Sequence, residues 1–168
     1  MLKPSACLHA AQVEQQLRGL SVSHMGFLAK LDEATKVVGA KNILDPKAAK
    51  AALDADKGAL LLDVQDPGSD SIPGAYSASL GTLPFKASTD LPEFKDPKIA
   101  DRKKSALIVV TCALGGQAKL GAKLLVDYGF KNVKVVEGGC VAWKKMPADK
   151  KAKAAPAKAK GTKRARGA

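Results

Sequence analysis

Two continuous apolar runs of strand length limit what this chain can fold into. The segments ALLLDV (residues 59–64) and SALIVVT (residues 105–111) lack the alternation of polar and apolar residues that marks a half-exposed strand. Strands of this kind are buried on both faces, which is typical of a parallel sheet covered by helices on each side. We therefore expect an α/β fold with a central, mostly parallel sheet.

Helices and a third strand complete the alternation that such a fold requires. A helix between Asp45 and Gly58 is indicated by Asp45 as N-cap, Pro46 at the first helical position and the glycine as a stop. Residues 118–129 (AKLGAKLLVDYG) predict another helix, and residues 130–139 (FKNVKVVEGG) predict a strand. The order strand, helix, strand is that of an α/β fold. The apolar residues that we place on one face of the second helix are Leu120, Leu124, Leu125 and Tyr128.

The chain divides into one globular domain and two flanking segments. Residues 1–41 form an N-terminal extension, with the bias of a weak transit peptide at the start and a helical period over residues 26–40 (GFLAKLDEATKVVGA). Residues 42–146 hold the globular pattern, including a long irregular stretch over 66–104 in which AYSAS suggests a short strand. Residues 147–168 are a Lys/Ala/Pro-rich tail that we expect to be disordered.

Cysteine usage argues for a reducing intracellular compartment, either the cytoplasm or an organelle such as a mitochondrion or plastid. Three cysteines, Cys7, Cys112 and Cys140, form neither a disulfide framework nor a zinc-binding spacing, so no metal and no cofactor is expected. Cys7 and Cys140 carry no chemical context, although Cys140 could serve as a resolving thiol if the fold brought it near Cys112. The chain has no apolar run near the ~18 residues of a membrane span, and no membrane partner is expected.

Cys112 follows the second apolar run directly and is the candidate nucleophile. Chemistry in parallel sheets gathers at the carboxyl ends of strands, where loops lead into helices. Glycines allow backbone angles that let main-chain N–H groups point inward, so the loop can stabilise negative charge on the sulfur with help from the helix N-terminus. The competing interpretation is a small buried side chain at the end of a strand. The loop residues are Ala113, Leu114, Gly115, Gly116 and Gln117.

Three separated motifs resemble the rhodanese-like domain family, in the order that the family shows. They are LLDVQDPGSDSIPGAYSAS, IVVTCALGGQA and LLVDYGFKNVKVVEGGCVAW, and the similarity covers about residues 42–145. The resemblance implies a rhodanese-like α/β fold, Cys112 as the catalytic, sulfur-carrying nucleophile and residues 113–117 as the substrate-binding amide loop. It also implies a small sulfur donor such as thiosulfate and a thiol or cyanide as acceptor.

The chain departs from the family pattern at several positions. Where relatives often carry arginine or histidine, this sequence has Gln117, Gln65 and Ser71. We therefore expect weaker use of thiosulfate or another donor, with Lys86, Lys119 or Lys123 as the remaining candidate cations. Asp63 is interpreted as a structural residue. Phosphatases of the Cys-x5-Arg type need an arginine six positions after the cysteine, and that position is Ala118, which argues against phosphatase activity.

The positive charge is concentrated in the tail. From Lys144 to Ala168 there are ten basic residues and one acidic residue, a net charge of +9 out of +12 for the chain. Without aromatic residues the tail can contact phosphates or carboxylates but cannot read bases. The alternative function is therefore a weakly active or inactive rhodanese-fold module that docks on nucleic acid or on an acidic protein surface such as microtubules.

Overall fold

The structure of the protein is a computed structural model that describes residues 26–147. The expected transit segment, Cys7 and the basic tail beyond Pro147 lie outside the described residues. In chain order the elements are α1 (Phe27–Val38), a 3-10 turn (Ala40–Asn42), β1 (Ile43–Leu44), α2 (Pro46–Ala55), β2 (Leu60–Asp63), β3 (Tyr76–Ser77), α3 (Leu83–Ala87), α4 (Pro97–Ala100), β4 (Ile108–Thr111), α5 (Gly116–Asp127), β5 (Val133–Val136) and α6 (Gly139–Lys144).

The five strands form one sheet in the order β1-β5-β4-β2-β3, and every neighbouring pair is parallel. Val110 of the central strand β4 lies opposite Leu62 of β2 on one side and Val135 of β5 on the other. The expected parallel sheet flanked by helices is thus confirmed. Because parallel strands end at the same edge, the residues that follow β2, β4 and β5 come together there.

Alternate residues of the β4 segment pack into separate cores on the two faces of the sheet. Ile108 and Val110 belong to the larger core, to which α1 and α5 contribute. Leu107 and Val109 belong to the smaller core, where Trp143 of α6 packs against them. Burying an aliphatic side chain of this size stabilises the fold by roughly 1.5–3 kcal/mol. This two-sided burial is why the run contains no polar alternation.

Helix α1 forms where the helical period of residues 26–40 predicts it, and it packs along α5. Ala34 and Val38 are fully or almost fully buried, and Thr35 Oγ1 donates to the carbonyl of Leu31 at 2.8 Å. Across the helix pair, Lys123 Nζ lies 3.6 Å from Glu33 Oε1. The extension therefore covers one face of the domain and reaches, at its N-terminal end, the start of α5.

The buried face of α5 differs from the one that the leucine spacing predicts. Leu120 and Leu124 are half-buried and Tyr128 is exposed, whereas the fully buried side is made mainly of small residues. Small residues allow the helix to approach the sheet closely, since a Cβ on Gly121 would lie 3.2 Å from Val64 Cγ1. The buried residues are Ala118, Gly121, Ala122 and Leu125.

The irregular stretch over 66–104 contains more regular structure than the sequence indicates. Strand β3 lies within AYSAS as expected, but the short helices α3 and α4 follow it. Each begins with a proline in its first turn, and Asp96 caps α4 by accepting from the N–H of Lys98 at 3.0 Å. Strand β1, which pairs with β5, was also unexpected because two residues show no period. No helix within residues 26–147 is long and apolar enough to cross a membrane.

Candidate functional site

Cys112 lies at the carboxyl edge of the sheet, one residue after the central strand β4. Its side chain is almost fully buried, with 2% exposed, and it belongs to the larger core together with Val64 and Ala118. The position matches the strand-end location expected from the sequence. Burial alone does not separate a nucleophile from a packing residue, so the polar contacts of the sulfur decide what the site can do.

Two main-chain N–H groups donate to the Cys112 sulfur. The donor–Sγ distances are 3.1 Å from Gly115 and 3.3 Å from Ala118. Among the residues that the structure describes, these are the only N–H donors to this sulfur. Ala118 lies in the first turn of α5, where N–H groups have no partner within the helix. Both donors favour negative charge on the sulfur and on an atom bonded to it.

The residues of the predicted loop, 113–117, therefore differ in what they contribute to the Cys112 site. Gly115 supplies a donor, whereas Leu114 is 73% exposed and Gln117 is also exposed. Gly116 faces α1, since a Cβ there would lie 3.8 Å from Phe27 Cζ. Ala118, one residue beyond the predicted loop, was missed as a donor. The signal for it was its place in the first turn of the following helix.

Gly115 meets two requirements at once. Its φ of +92° lies in the left-handed region that favours glycine. A Cβ at this position would also lie 3.2 Å from the backbone nitrogen of Gly138 and 3.4 Å from the carbonyl oxygen of Val136. The loop can turn its amide toward Cys112 only while a glycine stands here.

The start of α6 closes the site from the other side, a contribution that was not predicted from the sequence. The N–H of Cys140 donates to the carbonyl of Cys112 at 2.7 Å, and the N–H of Val141 donates to the carbonyl of Ala113 at 3.1 Å. This approach needs Gly139, whose φ is +58° and whose Cβ would lie 2.1 Å from the Cys112 oxygen. The Gly-Gly pair before Cys140 was the available signal.

Cys140 is near Cys112 in the backbone, but its sulfur lies in a different environment. Its Sγ is 3.4 Å from Gln65 Nε2 and 3.7 Å from Thr111 Oγ1, while the Cys112 sulfur faces the α5 amides. The contacts of the Cys140 sulfur are thus with Gln65 and Thr111.

The thiol of Cys140 is also poorly suited to attack. Burial raises its pKa, the negative charge of Asp63 adds to the rise, and the hydrogen bonds with Thr111 and the Ile72 backbone oppose it. A raised pKa leaves less thiolate at neutral pH, and the thiolate is the reactive form. We assign Cys140 a structural role.

Asp63 is the acceptor of a small buried network at the end of β2. Its carboxylate accepts from the backbone N–H of Gln65 at 3.0 Å, from Gln65 Nε2 at 3.1 Å and from Ser71 Oγ. Gln65 Nε2 also reaches the carbonyl of Asp70 at 3.3 Å. Gln65 and Ser71 thus serve as neutral donors to a buried carboxylate.

Two of the three candidate cations are paired with carboxylates. Lys86 Nζ lies 4.0 Å from Asp96, and Lys123 Nζ lies 2.8 Å from Asp127. The hydrogen bond with Asp127 raises the pKa of Lys123. Lys119 is half-buried and forms no ion pair with any residue from 26 to 147. The loop itself carries no charged side chain.

Solved structures of other proteins share this fold, among them two with TM-scores above 0.5. A Rhodopseudomonas palustris protein of unknown function, described as a possible tyrosine phosphatase, is 29% identical and superposes with a TM-score of 0.62, covering 74% of this chain and 92% of its own. The human single-domain sulfurtransferase TSTD1 is 18% identical with a TM-score of 0.53, covering 63% and 98%. A search of curated proteins finds no match to this sequence.

The sequence profile of one family matches most of the described chain. This profile is the rhodanese-like domain, and it matches residues 45–146. The matched range includes all five strands except the two-residue β1, and it includes the whole of the Cys112 site. The chain therefore belongs to the family of rhodanese-like domains.

Proposed function

We propose that this protein is a sulfurtransferase that carries sulfane sulfur as a persulfide on Cys112. The observation that carries the proposal is the pair of N–H groups, from Gly115 and Ala118, that donate to the Cys112 sulfur. These donors stabilise a thiolate on Cys112 without a neighbouring base. Family membership supports the same chemistry.

The proposed reaction has two displacement steps. The Cys112 thiolate attacks the outer sulfur of the donor, forming a new S–S bond while the donor's own S–S bond breaks. The bonding electrons leave with the remainder of the donor, which is sulfite when the donor is thiosulfate. A nucleophilic acceptor then attacks the terminal sulfur and the Cys112 thiolate leaves. Sulfur is transferred and the enzyme returns to its first state.

This chain lacks the arginine that a Cys-x5-Arg phosphatase needs six positions after its cysteine. The position that would hold the phosphate-clamping arginine is Ala118, which contributes its N–H to the sulfur. Within residues 26–147 the single arginine is Arg102, which donates to the carbonyl of Gly58. Gly58 precedes β2 and Arg102 precedes β4, so this arginine lies at the amino edge of the sheet, opposite Cys112.

A matched pair of cysteine variants tests the proposal. Cys112 and Cys140 are each 2% exposed, so Cys112→Ala and Cys140→Ala remove the same atom from equally buried positions. After incubation with a sulfane sulfur donor, intact-mass analysis of the wild type and of Cys140→Ala should show a gain of one sulfur atom. Cys112→Ala should show none and should form no thiocyanate from cyanide.

Two outcomes would contradict the proposal. The first is a wild-type protein that gains no sulfur from any sulfane donor, which would favour the non-catalytic docking module. The second is a Cys112→Ala variant that still gains sulfur while Cys140→Ala does not.

A further inference from the structure

A groove lies at the amino edge of the sheet, between residues 37–42 and residues 126–133. The first segment contains the end of α1 and the 3-10 turn, and the second leads from α5 into β5. The groove encloses about 450 Å³, within the range of roughly 300–1,000 Å³ that ligand pockets occupy. We call it the amino-edge groove. Since Val133 is the first residue of β5 and Cys112 follows the last residue of β4, the groove and Cys112 lie at opposite ends of the parallel sheet.

Both segments contribute accessible hydrocarbon to the amino-edge groove. Val37 of α1 is 40% exposed, and Val126 of α5 is half-buried. An aliphatic side chain placed between them would cover apolar surface. Such burial strengthens binding about fourfold for each methylene that is removed from water.

The same groove is surrounded by lysines that lack carboxylate partners. Lys41 lines it from the first segment and Lys131 lines it from the second. Lys134 also extends to the groove, because its Nζ lies 3.4 Å from Oδ1 of the lining residue Asn42. None of the described residues that line the groove is acidic. Within residues 26–147, none of these three lysines forms an ion pair.

A fourth lysine, Lys104, is held at the groove by an aromatic contact. Its Nζ lies 3.8 Å from the centre of the Phe130 ring, and Phe130 lines the groove. The N–H of Lys131 donates to the Lys104 carbonyl at 2.7 Å, so the two backbones are adjacent. Asp90 and Asp127 line a neighbouring cavity with Lys104, but neither lies within ion-pair distance of its Nζ. Four ammonium groups thus gather around one groove, and carboxylates of a partner would offset their mutual repulsion.

The chemistry of the groove selects one class of partner. Cations on both segments favour a ligand with negative charges at two places, whereas a fatty acid carries a single carboxylate. The exposed valines favour an aliphatic side chain, which the backbone of a nucleic acid does not offer. The basic end of this chain is unsuited, because residues 148–168 hold eight basic residues and one acidic residue. An acidic peptide segment with an aliphatic residue complements both the charge and the apolar surface.

We propose that the amino-edge groove binds an acidic segment of a partner protein, in which an aliphatic side chain is flanked by glutamate or aspartate residues. The aliphatic side chain lies between Val37 and Val126, and the carboxylates lie against Lys41 and Lys131. Because the groove is at the opposite edge of the sheet from Cys112, the partner and a sulfur substrate can be bound at the same time. The interaction does not depend on the proposed sulfurtransferase activity.

Two peptides of equal charge separate this interaction from binding to the basic tail. The first is a fluorescent peptide with leucine between two pairs of glutamates, and the second has serine in place of the leucine. Because both carry the same charge, the tail contributes equally to the binding of each. Fluorescence anisotropy with the full chain at low salt should show that the leucine peptide binds about tenfold more tightly than the serine peptide.

Two double variants with the same change in net charge test the cations. Lys41→Glu/Lys131→Glu should weaken binding of the leucine peptide about tenfold, because two attractive charges become repulsive. Lys57→Glu/Lys145→Glu is the matched control, because both lysines are exposed, lie outside the groove and form no ion pair in the described part of the chain. Its affinity for the peptide should fall by less than about twofold, since distant exposed charges are screened.

Val37→Ser tests the aliphatic contact. It should weaken binding of the leucine peptide about fourfold. Its affinity for the serine peptide should equal that of the wild type, because the leucine and the valine contribute through the same contact.

Three outcomes would overturn the proposal. The first is equal affinity of the wild type for the leucine and serine peptides, and the second is equal weakening by the two double variants. The third is that Lys41→Glu/Lys131→Glu weakens binding of decanoate or of an oligothymidylate more than binding of the leucine peptide. None of these outcomes bears on sulfur gain at Cys112, so the sulfurtransferase proposal is tested separately.

Discussion

At the scale of single residues, the site depends on glycines more than on any charged side chain. Gly115 allows the loop to turn its N–H toward Cys112, and Gly139 allows α6 to approach the Cys112 carbonyl. At each position a side chain would clash with a neighbouring segment, whereas glycine leaves room for the hydrogen bond that forms there. The backbone thus supplies the polar contacts of the Cys112 sulfur, in a geometry that these glycines permit.

Substituting Gly139 should show how much of the site depends on close approach. Gly139→Ala must accommodate a Cβ placed 2.1 Å from the Cys112 oxygen at a φ of +58°. Gly129→Ala is the control, since its φ of +87° is equally unfavourable but a Cβ there meets nothing within 4 Å. Urea unfolding should give a loss of about 1–2 kcal/mol for Gly129→Ala and of more than about 4 kcal/mol for Gly139→Ala. Similar losses for both would show that the approach of α6 is unimportant.

At the scale of elements, polar contacts join the short strand and the short helix within the stretch between β2 and β4. Tyr76 of β3 donates its hydroxyl proton to Asp96, and Asp96 also caps α4 through the N–H of Lys98. Lys98 Nζ lies 4.6 Å from the centre of the Tyr76 ring. The edge strand β3 and the short helix α4 therefore both form hydrogen bonds to the Asp96 carboxylate.

Tyr76→Phe should isolate the hydroxyl contribution, because phenylalanine keeps the ring under Lys98. The hydrogen bond to Asp96 raises the pKa of Tyr76 above 10. A raised folded-state pKa contributes stability that is complete below pH ~10 and is lost as pH rises through the folded value. We expect Tyr76→Phe to lower the unfolding free energy by about 1 kcal/mol at neutral pH, with the difference shrinking above pH ~10. A difference that is constant with pH would contradict this assignment.

At the scale of the whole molecule, the chain combines a nearly neutral domain with a strongly basic end. Residues 144–168 carry +9 of the net charge of +12. Trp143 packs in the smaller core and Met146 donates its N–H to the Trp143 carbonyl, so the last turns before Pro147 belong to the fold. A truncation that leaves the folded domain intact must therefore keep all residues up to Pro147.

Removing residues 148–168 should weaken binding to a polyanion without changing sulfur gain on Cys112. The truncated chain loses eight of the ten basic residues of its C-terminal end, so binding to a polyanion such as heparin should weaken and lose most of its salt dependence. Its thermal midpoint and its sulfur gain on Cys112 should match the full chain. Unchanged polyanion binding after truncation would contradict a docking role for the tail, and a lower thermal midpoint would show that the tail supports the fold.

Particular elements show where the sequence was informative. Three elements were predicted because each has a strong local signal. Strands β2 and β4 are continuous apolar runs, and helix α2 begins with the N-cap Asp45 followed by proline. Strand β1 and helices α3 and α4 were missed because two to five residues are too few to show a period. The buried face of α5 was assigned to leucines, although close packing selected small residues such as Gly121.

The sequence by itself determined the α/β layering and the strand-end position of Cys112. Both follow from short segments of the chain, namely apolar runs that are buried on both faces and glycine-containing turns. Only the tertiary structure decided that Ala118 donates to the sulfur, that Gly139 brings α6 against the Cys112 carbonyl and that the Cys140 sulfur contacts Gln65 and Thr111. The last two depend on distances between segments far apart in the chain, which are set by how the layers pack together. The first depends on how tightly the loop turns into α5.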